Sequence, residues 1–360
     1  MERPILYLAI TNHGFGHATR MASVAATIQK FCPEVLLIMV TTAPRWLLEC
    51  YIEGDFIYRP RAFDLGVVQA DSLAMDKAAT LEKLLEIKKQ QNSLIASEVN
   101  FIRQNRVNLI LGDIPFLASG FANAANIPCW MISNFGWDLV YRDWGGEFIA
   151  VADWISDWYS KCDRLFRLPF HERMQAFNNI TDIGLTGSSP RYSLDDLRSV
   201  WGITAPVEKT ILLTFGGLGL QQIPYNNLQE FLDWQFITFD RSAPDLPNVI
   251  KINDRKYRPV DFMPICGRVV SKPGYSTFAE TTKLEVPIVT IPREDFAEAS
   301  YLLEGVINYN KHQIVTPTEF FEGNWNFLFE LPQAPKQSQP ISKDGNEAIA
   351  QAVINYLQSK

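Results

Sequence analysis

The chain has 360 residues, 47% of them hydrophobic and 20% charged, with a formal net charge of -7. That length exceeds one ordinary core and fits two domains, and the composition is globular, not disordered. The net charge and the lack of a basic stripe to neutralise phosphates argue against a nucleic-acid backbone binder. Backbone amides and one or two cations would still suffice for a single polyanionic small molecule.

The N-terminus, MERP, runs straight into the short apolar ILYLAI (5–10) and lacks the longer apolar core and cleavage site of a signal peptide. No run approaches the ~20 apolar residues of a membrane helix. A soluble chain is expected, with peripheral membrane contact left open. The five cysteines (Cys32, Cys50, Cys129, Cys162, Cys266) are scattered without a CxxC pair, which reads as reduced and buried in a cytoplasmic protein.

After ILYLAI comes TNHGFGHATR (11–20), which holds two of the four histidines, His13 and His17, interleaved with Gly14 and Gly16. A dinucleotide fingerprint would need a third glycine, where Thr19 stands, and an acid after the second strand, which ends VTTAP. The four-residue histidine spacing suits a zinc helix, but here it spans a glycine turn with no HExxH glutamate. A plain helix-start turn with incidental histidines stays open. The alternative is a histidine at the carboxyl end of the first strand, facing a cleft as a general base near neutral pH.

MASVAATIQKF and TLEKLLEIKKQQNSLIASEVNFIRQ have helical spacing, and VLLIMVTT and LILGDI read as strands between them. Continuous apolar runs separated by helices predict a parallel sheet buried on both faces. Asp113, at the carboxyl end of LILGDI, could orient the His17 imidazole or cap the following helix. Trp154 and Trp158, with Phe148 and Ile155, read as a helix packed on its domain. The stretch 184–209, rich in Gly, Ser and Pro, predicts a domain boundary, with Ser193 as a helix N-cap ahead of Asp195 and Asp196.

The second half repeats the rhythm with strands TILLTF, QFITF, VIKI, RVVSK and PIVTI. TILLTF ends in FGGLG (215–219), a glycine turn carrying Gly216 and Gly217, the same device as GFGH. VVSKPGYSTFAE (269–280) reads as strand, turn and helix start, where free amides around Gly274, Ser276 and Thr277 and the helix dipole favour phosphate, with Lys272 adding a charge. Glu280 falls two turns into that helix, either reaching back to the cleft or merely solvated. A nucleophile elbow is excluded by Phe278, which stands where the second glycine belongs. PREDFAE (292–298) places Arg293, Asp295 and Glu298 beside the same cleft, or only starts a helix. The predicted organisation is a first Rossmann-like domain over 1–185, a linker over 186–208, and a second domain over 209–345. A final helix over 346–360 is free to pack back on the first domain.

Together these segments resemble GT-B glycosyltransferases, in which two doubly wound α/β domains face across a cleft and a sugar leaves a nucleotide donor. VVSKPGYSTFAETTKLEVPIVTIP is similar to the donor segment of the undecaprenyl-linked N-acetylglucosamine transferases and, more loosely, of the UDP-glycosyltransferases. HGFGHATR, GVVQADSLAMD, SNFGWDLVY and KPGYSTFAE followed by PREDFAEASYL resemble, in order, the glycosyltransferase-like N-terminal region of plant-type L-arabinokinases, without the kinase domain. The resemblance implies an inverting, metal-independent enzyme with no cofactor, a UDP-sugar donor and an acceptor hydroxyl. It implies His17 as base, Asp113 as its partner, the Gly274 turn on the diphosphate and Glu280 on the ribose. Two departures stand out: Arg20 replaces the proline after GH, and the aspartate–glutamine pair that reads the donor sugar is absent, leaving Asp295 and Glu298 as substitutes. Two other functions fit the same resemblance: a catalytically silent sugar-nucleotide-binding module, and a GT-B epimerase using Asp295 and Glu298 as acid and base.

Overall fold

The computed structural model describes residues 3–69, 75–216 and 223–359. The first half runs β1 (Ile5–Ile10), α1 (Gly16–Phe31), β2 (Leu36–Val40), α2 (Arg45–Glu49), β3 (Ile57–Arg59) and α3 (Lys77–Gln104). It continues through β4 (Leu109–Asp113), α4 (Ala118–Ala125), β5 (Cys129–Ser133), α5 (Trp137–Trp144), α6 (Phe148–Tyr159), β6 (Arg164–Arg167) and β7 (Ile180–Asp182). These strands form one parallel sheet in the order β3-β2-β1-β4-β5-β6-β7. Alternate residues of β1 serve opposite faces: Leu6, Leu8 and Ile10 join the cluster under α1, while Tyr7 and Ala9 join the one that includes Phe121 and Ile155. Helices on both faces explain why the strand sequences are continuously apolar. Trp154, Phe148 and Ile155 are buried on α6.

Between the halves, α7 (Leu194–Trp201) starts where Ser193 accepts from Asp196 N–H at 3.1 Å, so the adjacent aspartates sit in a capped first turn. The second half runs β8 (Thr210–Thr214), β9 (Gln235–Thr238), β10 (Val249–Lys251), α8 (Pro259–Phe262), β11 (Arg268–Ser271) and α9 (Tyr275–Leu284). It ends with β12 (Ile288–Thr290), α10 (Glu298–Tyr309), β13 (His312–Ile314), α11 (Pro317–Phe321) and α12 (Gly345–Gln358). Its parallel sheet has the order β10-β9-β8-β11-β12-β13, the dinucleotide-domain arrangement.

The two halves share apolar contact. One cluster takes Leu8 and Met21 from the first half together with Phe278 and Ile349 from the second. The ring of Phe170 occupies the place a Cβ on Gly305 would need, so only glycine lets α10 approach that closely. α12 lies on α1, burying Ile349, Val353 and Leu357 at helical spacing, and Asn346 reaches Ser23 O at 3.4 Å. Among the described residues no helix is long and apolar enough to cross a membrane.

Candidate functional site

In each sheet the strand order reverses between two neighbours, β1/β4 and β8/β11, where an open α/β sheet leaves a crevice at its carboxyl edge. The first crevice receives loop 11–17 and Asp113; the second receives Gly216 and the turn that leads into α9. The two face one another. Ser276 Oγ donates to Gly16 O at 2.9 Å across the seam. Between them lies a cavity of about 120 Å³, with His13, His17 and Arg20 on one wall and Lys272, Gly274 and Thr277 on the other. A single water needs about 10–15 Å³ on this scale, so the space admits a diphosphate-sized group.

The loop is held from below. Thr11 Oγ donates to the Asp64 carboxylate, Asn12 N–H donates to Asp64 Oδ1 at 2.8 Å, and Trp137 Nε1 donates to Thr11 Oγ at 2.9 Å. Burial pushes the Asp64 carboxyl up to about 6 against those hydrogen bonds. Gly14 has φ +61 with open space around it, so the loop requires its left-handed conformation and not its small size. α1 then begins at Gly16, which puts His17 in its first turn, buried.

His17 Nδ1 lies 2.7 Å from Asp113 Oδ1. A carboxylate only accepts, so this contact puts the ring proton on Nδ1 and leaves the Nε2 lone pair open. Asp113 does not cap a helix; α4 begins at Ala118 after Leu117. Arg20 also grips the same carboxylate, with Nε 2.7 Å from Oδ2 and Nη2 2.6 Å from Oδ1. Burial works to raise the Asp113 carboxyl, but Arg20 and then His17 hold it below its ordinary value. Arg20 Nη2 stands 3.1 Å from His17 Nδ1, a guanidinium placed against the imidazole.

His13 packs parallel to Phe296 at 5.8 Å and edge-on to Trp137 at 5.1 Å. Burial, followed by the nearness of His17, Arg293 and Lys272, holds it well below the ordinary histidine value, so its ring stays neutral. On the facing wall, Lys272 is pushed down to about 8, first by burial and then by Arg293, against the pull of Glu298. Arg293 lines the cleft with its guanidinium 4.2 Å from the Phe296 ring centre. The first turn of α9 presents the amides of Ser276 and Thr277 at the positive end of a ten-residue helix.

Two expected site residues lie elsewhere. Glu280 is buried against the linker, its Oε1 accepting from Ser188 N–H at 3.1 Å, and it does not line the cavity. Asp295 sits on the exposed rim, where its carboxylate takes Lys77 Nζ at 2.8 Å and its carbonyl takes Trp144 Nε1 at 2.7 Å. Gly217 lies outside the described residues, while Gly216 lines the cavity. Glu298 does line it, with Oε1 accepting from Asn134 Nδ2 at 2.8 Å. Sequence reasoning assigned no role to Asp64, Asn134, Tyr275 or Phe296. Only Asn134, at the carboxyl end of β5 in SNFGWDLVY, carried a usable signal, had β5 been recognised as a strand.

Glu280 gives a stability prediction. Burial lifts its carboxyl to about 7, with Ser188 N–H and Arg258 opposing. The native state therefore binds this proton more tightly than the unfolded chain, and stability falls as pH rises from the ordinary glutamate value through about 7. Glu280→Gln, which still accepts from Ser188, should match the wild type in urea denaturation at pH 4. At pH 8 it should be more stable by up to about 3 kcal/mol. Equal effects at both pH values would contradict this account.

No family model matches the chain. It is 27% identical over 351 residues to an L-arabinokinase of Arabidopsis thaliana, covering 95% of this chain and 33% of that protein. The chain thus spans about a third of the length of that relative. Similar solved structures include the calicheamicin glycosyltransferase CalG4, with a TM-score of 0.64, 16% identity and 99% of each chain covered. Another is a UDP-glucose:anthocyanidin 3-O-glucosyltransferase in complex with UDP, with a TM-score of 0.62, 11% identity, and 98% of this chain and 95% of that one covered. With its two facing parallel sheets, this chain has the GT-B fold of the glycosyltransferases.

Proposed function

We propose that this chain transfers a sugar from a uridine diphosphate donor to an acceptor hydroxyl, with inversion. The observation that carries the reading is the opposition of the His17–Asp113 pair to the α9 N-terminus and Lys272 across one cleft. His17 Nε2 takes the proton from the acceptor hydroxyl as its oxygen forms a bond to the anomeric carbon. The bond from that carbon to the donor phosphate oxygen breaks, and its electron pair leaves with the diphosphate. That growing charge meets the amides of Ser276 and Thr277 and the Lys272 ammonium; such preorganised donors commonly contribute about 2.7–4 kcal/mol each. Asp113 holds the imidazolium through Nδ1. Closure of the domains would exclude water, and no bridging metal is invoked. The UDP bound to the anthocyanidin glucosyltransferase makes UDP the first ligand to test.

One observation favours a second reading, a catalytically silent sugar-nucleotide-binding module. Arg20 engages both oxygens of Asp113 and faces His17 Nδ1, so Asp113 is already paired before any imidazolium forms.

The test is thermal shift and calorimetry with UDP, GDP and dTDP, followed by transfer assays with UDP-sugars. UDP at a hundredfold excess over its Kd should stabilise the fold by about 2.7 kcal/mol. Lys272→Met should weaken UDP by about ten- to a hundredfold, the worth of one charge-assisted hydrogen bond. Lys272 loses its proton as pH rises through about 8 in the free protein. UDP affinity should therefore decline above pH 8, where the terminal phosphate of UDP is already fully ionised, in the wild type but not in Lys272→Met. A pH-independent wild type would remove Lys272 from the phosphate site, and UDP binding without transfer would select the silent module.

A further inference from the structure

Arg20 follows His17 by one turn of α1 and is buried with four polar contacts. Two go to Asp113, one to His17, and the last runs from Nη1 to Asn134 Oδ1 at 3.1 Å. The same Asn134 amide gives its other end, Nδ2, to Glu298 Oε1 at 2.8 Å. Glu298 is the first residue of α10, in the second half of the chain, and its charge acts on Lys272. Tyr275, the first residue of α9, places its ring 5.0 Å from the Arg20 guanidinium carbon. A residue needed only to neutralise Asp113 would require neither partner from the other half.

An unbroken path of hydrogen bonds thus runs from His17 Nδ1 through Asp113, Arg20 and Asn134 to Glu298, crossing the seam between the halves once. Asp113, Arg20, Asn134 and Glu298 are all buried, so water offers little substitute when a link is lost. Separating the halves would break the Asn134–Glu298 bond and the Arg20–Tyr275 contact together, leaving the guanidinium held by Asp113 and by an Asn134 that has lost its own anchor on α10. We propose that Arg20, Asn134 and Glu298 are positioning residues through which closure of the second domain fixes the aim of the His17–Asp113 pair. The proposal rests on His17 acting as the base.

The charged and titratable groups around His17 are Asp113 from β4, Arg20 from its own helix, His13 from the loop before it and Asp64 from the 60–66 segment. Glu298 reaches the ring only through the path described.

The test compares Glu298→Ala, Asn134→Ala and Glu298→Gln in the full chain. The readouts are transfer kinetics and the ring NMR signals of labelled His17 followed through a pH titration. Glu298→Ala and Asn134→Ala each cut the path at the seam, and kcat should fall about ten- to a hundredfold, the usual effect of a slightly misplaced catalytic group. Donor KM should stay within about twofold in Asn134→Ala, whose side chain does not line the cavity. The His17 signals should move in both variants. Glu298→Gln keeps an oxygen for Asn134 Nδ2 and should restore both kcat and the wild-type His17 titration. Identical behaviour of Glu298→Ala and Glu298→Gln overturns the proposal, as does a His17 titration that neither Glu298→Ala nor Asn134→Ala changes. The NMR readout needs no turnover, so a chain that transfers no sugar fails the catalytic reading while the path is still tested. If Glu298→Ala does not fold, Asn134→Ala decides.

Discussion

His17→Ala is expected to lower the rate of sugar transfer by about 10²–10⁴-fold, the usual contribution of a general base. UDP affinity should barely change, because the groups proposed for the diphosphate belong to α9 and Lys272 on the opposite wall. That separation of effects is what identifies a base. A residue that merely shapes the cleft would alter both. Asp113→Asn should lose less transfer than His17→Ala, and adding it to His17→Ala should cost little more, since a base and its orienting group act as a unit. Full activity in His17→Ala would leave the GFGH turn as scaffold.

Asp113→Asn should also be strongly destabilising, by about 3–5 kcal/mol, because it strips the partner from a buried guanidinium. Asp113 is 0% exposed and Arg20 3%, and two short contacts join them. The carboxylate is held below its ordinary value, so its contribution is complete above the unfolded-state value and is lost as pH falls through the lower native one. Urea denaturation of Asp113→Asn, Arg20→Met and the double variant Arg20→Met/Asp113→Leu separates the two charges. Each single change should be costly, and the double variant should recover much of the loss, because removing both charges leaves no buried ion unpaired. If the single and double losses simply add, Arg20 and Asp113 are not a coupled pair. Transfer assays on these variants belong at temperatures well below their transitions, so that lost folding is not read as lost catalysis.

The central strands were legible because their physics is local. ILYLAI, LILGDI and RVVSK are short apolar runs ended by glycine, proline or charge, and they became β1, β4 and β11. The edge of the first sheet was not. β6 is RLFR, with an arginine at each end, and β7 is the three residues ITD; their strand character comes from pairing with neighbours already in place. β13 likewise takes its strand form from pairing with β12, and the buried His312 within it gives Nδ1 a partner in Asn310 O at 3.0 Å. At the site, glycine spacing pointed to both switch-point turns. The side chains that tie them together, Asp64, Asn134 and Tyr275, come from segments 50 to 260 residues away from the GFGH turn, and no sequence period connects them. Glu280 illustrates the opposite limit. Its helical position was readable, but whether that face met the cleft or the linker depended on how residues 187–188 cross it.

α12 carries a consequence for how the protein is made. The groove on α1 that takes Ile349, Val353 and Leu357 belongs to the first half, yet the segment that fills it is translated more than 300 residues later. At about 5–20 residues per second, the roughly 160 residues between β7 and α12 take at least about 8 seconds, during which the first sheet stands complete with that face of α1 uncovered. Through that interval the apolar face of α1 is open to whatever shelters unfinished chains. The first half is thereby begun before the second and completed after it.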